Sequence, residues 1–281
     1  MKKRAIAAAA LVPFLVWWGL QRPSNQRDWT PDNARTARAE FHGDSVLIRN
    51  VRNADYRTTA DYTVRWEDRG YDLREVEKAW FLVEPFSRDW RGPAHTLVSF
   101  QFTGGRFLAV SAEIRKEKGE IFSPWKGLLR RFEMTYVVAD ERDVVRLRTN
   151  FRRDPVYLYP VRATPGQARA MLVSMLTHAN GLAEKPQWYN TLTNTCTTSL
   201  ARHVNAVAPG KVGFSWRMLF PGYSDQLAYD LGLIDTNLPF EQAREHFHIN
   251  DRALRWGDSP EFSVRIREPD PAAIAQSPAA P

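Results

Sequence analysis

An α+β domain is what the 281-residue sequence predicts, and three observations predict it. Residues 45–159 carry short β-branched and aromatic runs bounded by turn residues, the period changes to helical spacing at Pro165, and strands are followed by helices rather than interleaved with them. Composition allows such a fold, since 43% hydrophobic and 12% aromatic residues supply a sizeable core.

The amino terminus reads as an address. Met1 to Arg4 are basic, residues 5–20 are uncharged and mostly apolar, and 21–26 are polar. The apolar run closes on Val16-Trp17-Trp18-Gly19-Leu20, bulky where a cleavage site needs small residues, so one uncleaved N-terminal membrane helix is expected over 1–20. The run falls slightly short of the ~20 residues that span a bilayer core, with Trp17 and Trp18 suited to the far interface. A basic start stays in the cytoplasm, which places the chain in a bacterial inner membrane with its domain in the periplasm. Residues 21–40, polar with Pro23 and Pro31, read as a linker. The catalytic domain is expected over 41–265 and a disordered tail over 266–281, low in complexity from Pro269.

Strands are predicted at 45–50, 79–84, 95–102, 106–115, 132–138, 144–149 and 156–159, forming an antiparallel sheet. Helices are predicted at 165–179, with Leu172, Met175, Leu176 and Ala179 on one stripe, at 196–207, with Leu200, Val204 and Val207 on another, and at 224–231 before Gly232.

Composition also excludes functions. The single cysteine, Cys196, leaves no intramolecular disulfide and no Cys-clustered metal site. Of the net charge of +7, Lys2, Lys3 and Arg4 of the leader account for +3, and the remaining +4 is a weak nucleic-acid signal. No cofactor or metal is expected, and no nucleic-acid partner.

The lone thiol stands in Tyr189-Asn190-Thr191-Leu192-Thr193-Asn194-Thr195-Cys196-Thr197-Thr198, where capping residues run into a helix. Unpaired N–H groups at a helix start stabilise a thiolate, and the same groups suit an oxyanion. A small buried hydrophobe is the alternative for a free cysteine.

A nucleophilic thiol needs a base, and six histidines are present. His203 lies seven residues into the helix of Cys196, poorly placed to reach it, and reads as a surface or packing residue. His178 lies near a helix end. His246 and His248, with Glu241 and Glu245, imitate a metal site or form a solvated segment, and His42 has no partner in view.

His95 begins a strand that turns through Thr103-Gly104-Gly105 into a second strand carrying Glu113. With a three-residue loop, Phe102 pairs with Arg106 and His95 stands opposite Glu113; a two-residue turn would put them on opposite faces. The three-residue form is preferred, because it gathers the polar positions on one face and leaves Val98, Phe100, Leu108, Val110 and Ile114 for the core. Glu113 would then fix the His95 tautomer and stabilise its imidazolium, or else it is an edge carboxylate paired with Arg115 or Arg130.

Five segments together give the chain a resemblance to a known family: Val51-Arg52-Asn53-Ala54-Asp55-Tyr56-Arg57, Ala94-His95-Thr96-Leu97-Val98-Ser99-Phe100, Ser111-Ala112-Glu113-Ile114-Arg115-Lys116-Glu117, Glu141-Arg142-Asp143, and the stretch around Cys196. The chain resembles the Lnb-type bacterial apolipoprotein N-acyltransferases over most of its length. The resemblance implies a permuted papain-like (NlpC/P60-like) fold, with the histidine and its orienting residue on strands before the Cys-bearing helix. It implies Cys196, His95 and Glu113 as catalytic residues of a membrane-associated thiol acyltransferase. A phospholipid would be the acyl donor, Cys196 would carry the acyl group as a thioester, and the N-terminal cysteine of an apolipoprotein would accept it. The N–H of Cys196 would serve as one oxyanion donor and Asn194 or Tyr189 as another. Trp90, Phe122, Trp125 and Leu128-Leu129, flanked by Arg91, Lys126, Arg130 and Arg131, would rest on anionic head groups, or are ordinary core aromatics with surface arginines. A periplasmic cysteine amidase or peptidase with the same residues, and a non-catalytic envelope scaffold, are the rival readings.

Overall fold

The protein is described by a computed structural model covering residue 13 and residues 16–268. Most of the expected leader and the tail beyond 268 lie outside the described residues, among which no helix is long and apolar enough to cross a membrane.

The architecture is α+β, as expected. The strands are β1 (Arg38–His42), β2 (Ser45–Tyr56), β3 (Tyr62–Asp72), β4 (Val76–Pro85), β5 (Ala94–Phe102), β6 (Arg106–Arg115), β7 (Glu133–Ala139) and β8 (Tyr157–Pro160). They form one sheet in the order β1-β2-β7-β6-β5-β4-β8, with β3 pairing β2. The sheet is mixed rather than antiparallel throughout: β2 meets β7 in parallel at Arg52 and Ala139. The reason is that β2 is long. β3 covers one of its edges, β1 covers the start of the other, and the far half of that second edge receives β7.

The helices are α1 (Pro124–Leu128), α2 (Glu141–Arg146), α3 (Pro165–Glu184), α4 (Cys196–Val207), α5 (Ser224–Asp230), α6 (Phe240–His246), α7 (Asn250–Trp256) and α8 (Phe262–Arg265). Helix α3 starts on a capping box between Thr164 and Gln167 with Pro165 in its first turn, and buries Ala168, Met171, Leu172, Met175, Leu176, Ala179 and Leu182 against one sheet face. The other face is covered by Val144 and Val145 of α2 together with Ile249, Ala253, Phe262 and Ile266. The sheet is therefore apolar on both sides, and β5 and β6 read as nearly continuous buried runs.

Three sequence expectations are corrected. Residues 144–149 are not a strand: Asp140 caps α2, and the chain passes into a π-helical turn over Leu147–Arg152. Val144, Val145 and Leu147 are buried, so apolar content fits either period and the cap decides. Residues 21–40 are not a linker standing off the body. Trp29, Asn33, Ala37 and Ala39 are buried, Asn25 Nδ2 donates to the Leu182 and Ala183 carbonyls at 3.0 Å, and β1 starts at Arg38. The folded body also runs past 265, because Ile266 is fully buried and Arg267 forms an ion pair with Glu141. Strands β1 and β3 escaped the sequence pattern: β1 is short and mostly exposed, and β3 is exposed or half-buried along most of its length and carries two Arg and two Asp.

Candidate active site

Cys196 is the first residue of α4, and its position is fixed by the segment before it. Thr195 Oγ1 accepts from the Thr198 N–H at 3.2 Å and Thr198 Oγ1 accepts from the Thr195 N–H at 2.7 Å, a reciprocal cap. The loop leading in is closed by Asn190 and Asn194, which exchange backbone hydrogen bonds at 3.2 and 2.9 Å. Asn194 Nδ2 donates to the Trp188 carbonyl and its Oδ1 accepts from Arg202, so this amide is engaged in shaping the loop. With Thr198 satisfied by the cap, the N–H groups of Cys196 and Thr197 have no intrahelical acceptor, as at every helix start.

His95 is held by the hairpin. Phe102 pairs with Arg106, the register of the three-residue loop, and Gly104 and Gly105 both take left-handed φ, at 74° and 70°. The β5–β6 ladder stops at Val98 and Val110, whereas β5 stays paired with β4 as far as Ala94 and β6 with β7 as far as Arg115. The two strands thus part, and His95, Ser111 and Glu113 face one another across the wedge. His95 Nε2 lies 2.6 Å from Ser111 Oγ, Ser111 Oγ donates to Glu113 Oε1 at 2.8 Å, and Nε2 to Oε1 is 3.3 Å. The start of α4 enters the same wedge. Cys196 Sγ lies 3.8 Å from Thr197 Oγ1, and His95 and Thr96 stand close enough to act on the thiol's ionisation. Since Nε2 is engaged, Nδ1 is the ring nitrogen available to the thiol.

The electrostatics favour a charged pair. Burial alone pushes the Cys196 thiol up, but His95 and Thr96 outweigh it and hold the thiol down at about 7. Burial pushes His95 down, while Cys196 and Glu113 carry it up to about 9. Burial likewise opposes ionisation of Glu113, yet His95, Arg148 and Arg52 hold its carboxyl well below the usual range. Between about 7 and 9 the pair is a thiolate beside an imidazolium, and the two values belong to the pair.

Behind Glu113 stands a buried network that the sequence did not point to. Arg148 Nη2 donates to Glu113 Oε1 at 3.1 Å and its Nε to Glu84 Oε2 at 2.6 Å, and Arg152 reaches the other Glu84 oxygen at 3.2 Å. Glu84 is paired with His95 across β4 and β5. The Glu113 partner is therefore Arg148, not Arg115 or Arg130. Arg115 instead bonds Asn25, Asn33 and Ala34 and stacks on Trp29. Arg148 was hidden because it belongs to the π-helical turn read as a strand, and Ser111 because a serine on a strand carries no signal of its own. One hint was available: Arg52 and Asp143, both in the segments of the family resemblance, form a buried bidentate pair at 2.8 and 3.0 Å that ties β2 to α2.

The remaining histidines are elsewhere. His203 is a buried packing residue between Tyr136 Oη (2.6 Å) and Ser174 Oγ (2.8 Å), and burial pushes it down to about 4. His178 meets it edge to face, with ring centroids 5.7 Å apart. His42 is exposed, and the His248 ring lies against Tyr157. Among the described residues no three His, Cys, Asp or Glu side chains gather for a metal. Tyr189 lies close enough to Cys196 that burial, and then the charge on the sulfur, pushes its phenol up.

A buried thiol, an imidazole beside it and a carboxylate fixed behind the imidazole can perform nucleophilic acyl chemistry. The profile of the Lnb N-terminal periplasmic domain matches residues 62–222, more than half of the chain and a span that includes His95, Ser111, Glu113, Arg148 and Cys196. No curated protein and no solved structure matches.

Proposed function

The chain belongs to the family of the Lnb N-terminal periplasmic domain, and from that membership and the site we propose a membrane-associated thiol acyltransferase with a permuted papain-like domain, anchored in the inner membrane by its leader. The observation that carries the proposal is that Cys196, at the start of α4, shares one buried site with His95, whose Nε2 is held by Ser111 and Glu113.

In the first half-reaction the Cys196 thiolate attacks an ester carbonyl of a phospholipid, and the carbonyl oxygen takes up negative charge beside the Cys196 N–H, with the Tyr189 hydroxyl as second donor. Collapse breaks the ester C–O bond. The His95 imidazolium gives its proton to the departing lysophospholipid alkoxide, leaving an acyl thioester on Cys196 and a neutral imidazole. In the second half, the N-terminal amine of an apolipoprotein attacks the thioester, His95 takes the ammonium proton, the new amide leaves and the thiolate returns. Glu113 and Ser111 keep Nε2 occupied, so that Nδ1 faces the sulfur throughout.

The surface supports a membrane substrate. Ile121, Phe122, Trp125 and Leu129 are exposed on and beside α1, Trp125 by 74%, and Lys126, Arg130 and Arg131 lie among them. Thr191 of the loop before Cys196 bonds to the Pro124 carbonyl, which brings exposed Leu192 to the same patch. Arg130 stacks on Trp18 at 3.7 Å, so the end of the leader meets the patch as well.

Intact-protein mass spectrometry after incubation with phospholipid tests the proposal. A fatty-acyl mass on Cys196, absent in Cys196→Ala and in His95→Ala, is expected, with release of the acyl group by a diacylglyceryl-cysteine peptide. Cleavage of peptide substrates with no acyl adduct from any ester would establish the amidase reading instead.

A further inference from the structure

Helix α4 packs its apolar stripe against the core but covers it incompletely. Cys196, Thr197, Ser199 and His203 are buried, whereas the apolar stripe of Leu200, Val204 and Val207 is only partly covered. The stripe faces a cavity of about 130 Å³. Thr197, Leu200, Ala201 and Val204 form its wall on α4, at the spacing of one helix face, and Met171, Ala228 and Leu233 lie opposite. Its charged and amide-bearing wall residues, Arg162 and Gln167, are exposed and sit at the rim. A folded domain that leaves aliphatic side chains uncovered in an apolar cavity forgoes the burial that drives folding, unless a ligand completes it.

The cavity is joined to the nucleophile through one residue. Thr197 lines it, and Thr197 Oγ1 is 3.8 Å from Cys196 Sγ. A group bonded to that sulfur thus begins one side chain away from an apolar wall.

We propose that this cavity receives the hydrocarbon chain of the acyl group carried on Cys196, and that it sets the preference for acyl length. The proposal rests on the reading of Cys196 as an acyl carrier. Apolar cavities of ~150 Å³ take up benzene, so this one holds roughly the first six carbons, and a longer chain leaves by the rim.

The test is Cys196 acylation by p-nitrophenyl acetate, butyrate, hexanoate and octanoate in the full chain, read as nitrophenol release and as acyl mass. Each methylene that enters an apolar site is worth about fourfold. The octanoyl-to-acetyl rate ratio is expected to exceed tenfold in the wild type and to fall at least tenfold in Ala201→Trp and in Ala228→Phe. The ratio cancels any loss common to both esters, and cooperative thermal unfolding of each variant checks its fold. A wild type without chain-length preference, or variants that keep the full preference, would overturn the cavity assignment while leaving the acyl-carrier reading intact. Failure of every ester to acylate Cys196 removes the acyl-carrier reading, and with it a Cys196-borne chain as occupant, and leaves only the cavity's uptake of a hydrocarbon chain to be decided. A second measurement then decides on the cavity: octanoate is expected to raise the Tm of Cys196→Ala but not of Cys196→Ala/Ala201→Trp, and equal or absent shifts in the two would overturn it.

Discussion

A thiolate at neutral pH is costly in a buried site, and at Cys196 two neighbours offset the cost, His95 and Thr96. The alkylation rate of Cys196 by iodoacetamide should therefore rise with an inflection near 7 rather than at the ~8.5 of a free thiol. Ester acylation, which also needs the imidazolium proton for the leaving alcohol, should follow a bell with limbs near 7 and 9. Glu113→Gln removes the negative charge that helps carry His95 up. The imidazolium then deprotonates at lower pH, so the upper limb of the bell moves down from about 9. An unchanged upper limb in a kinetic pH profile would show that Glu113 does not act on His95. Ser111→Ala should lower the acylation rate without moving that limb as far, because the charge of Glu113 stays.

Elements place these groups, and two features can be tested separately. The reciprocal cap of Thr195 and Thr198 defines where α4 begins; Thr195→Ala should cost ~1 kcal/mol in denaturant unfolding and raise the alkylation inflection of Cys196, because the helix start loosens. The Arg52–Asp143 pair joins β2 to α2, and Asp143 also accepts from the Ala54 N–H at 2.8 Å. Arg52→Met leaves a fully buried carboxylate without its cation, and a loss of ~3–5 kcal/mol is expected by chemical denaturation. The parting of β5 from β6 is the element-scale device of the site: it admits the tip of α4 between strands that remain paired on their outer edges.

At the scale of the molecule, exposed apolar side chains beside α1 and near the loop before Cys196 form one patch with basic residues among them. With residues 1–15 removed, flotation with anionic liposomes should weaken several-fold in Trp125→Gln/Leu129→Gln, and equal flotation would count against membrane docking by this surface. His203, held neutral down to about 4, makes the fold acid-sensitive: its native pKa lies below the unfolded value near 6.5, so the unfolded chain binds the extra proton and stability falls as pH drops from 6.5 towards 4. Thermal unfolding across that range checks the sign. Much of this was legible in the sequence. The bounds of α4 and β6, the start of α3, the hairpin loop and the common face of His95 and Glu113 follow from caps, glycines and periodicity, which are local. Strand β3 and the turn carrying Arg148 were not legible, because a solvated charged strand and a short apolar run bear no unambiguous period. What the sequence by itself determined is the chemistry at hand: one thiol at a helix start, a histidine and a carboxylate on a hairpin. What only the tertiary structure decided is that they meet, that Ser111 and Arg148 stand behind them, and that an apolar cavity adjoins the sulfur. Those depend on where strands separated in sequence stop pairing and on which helix fills the gap, long-range packing that no local pattern encodes.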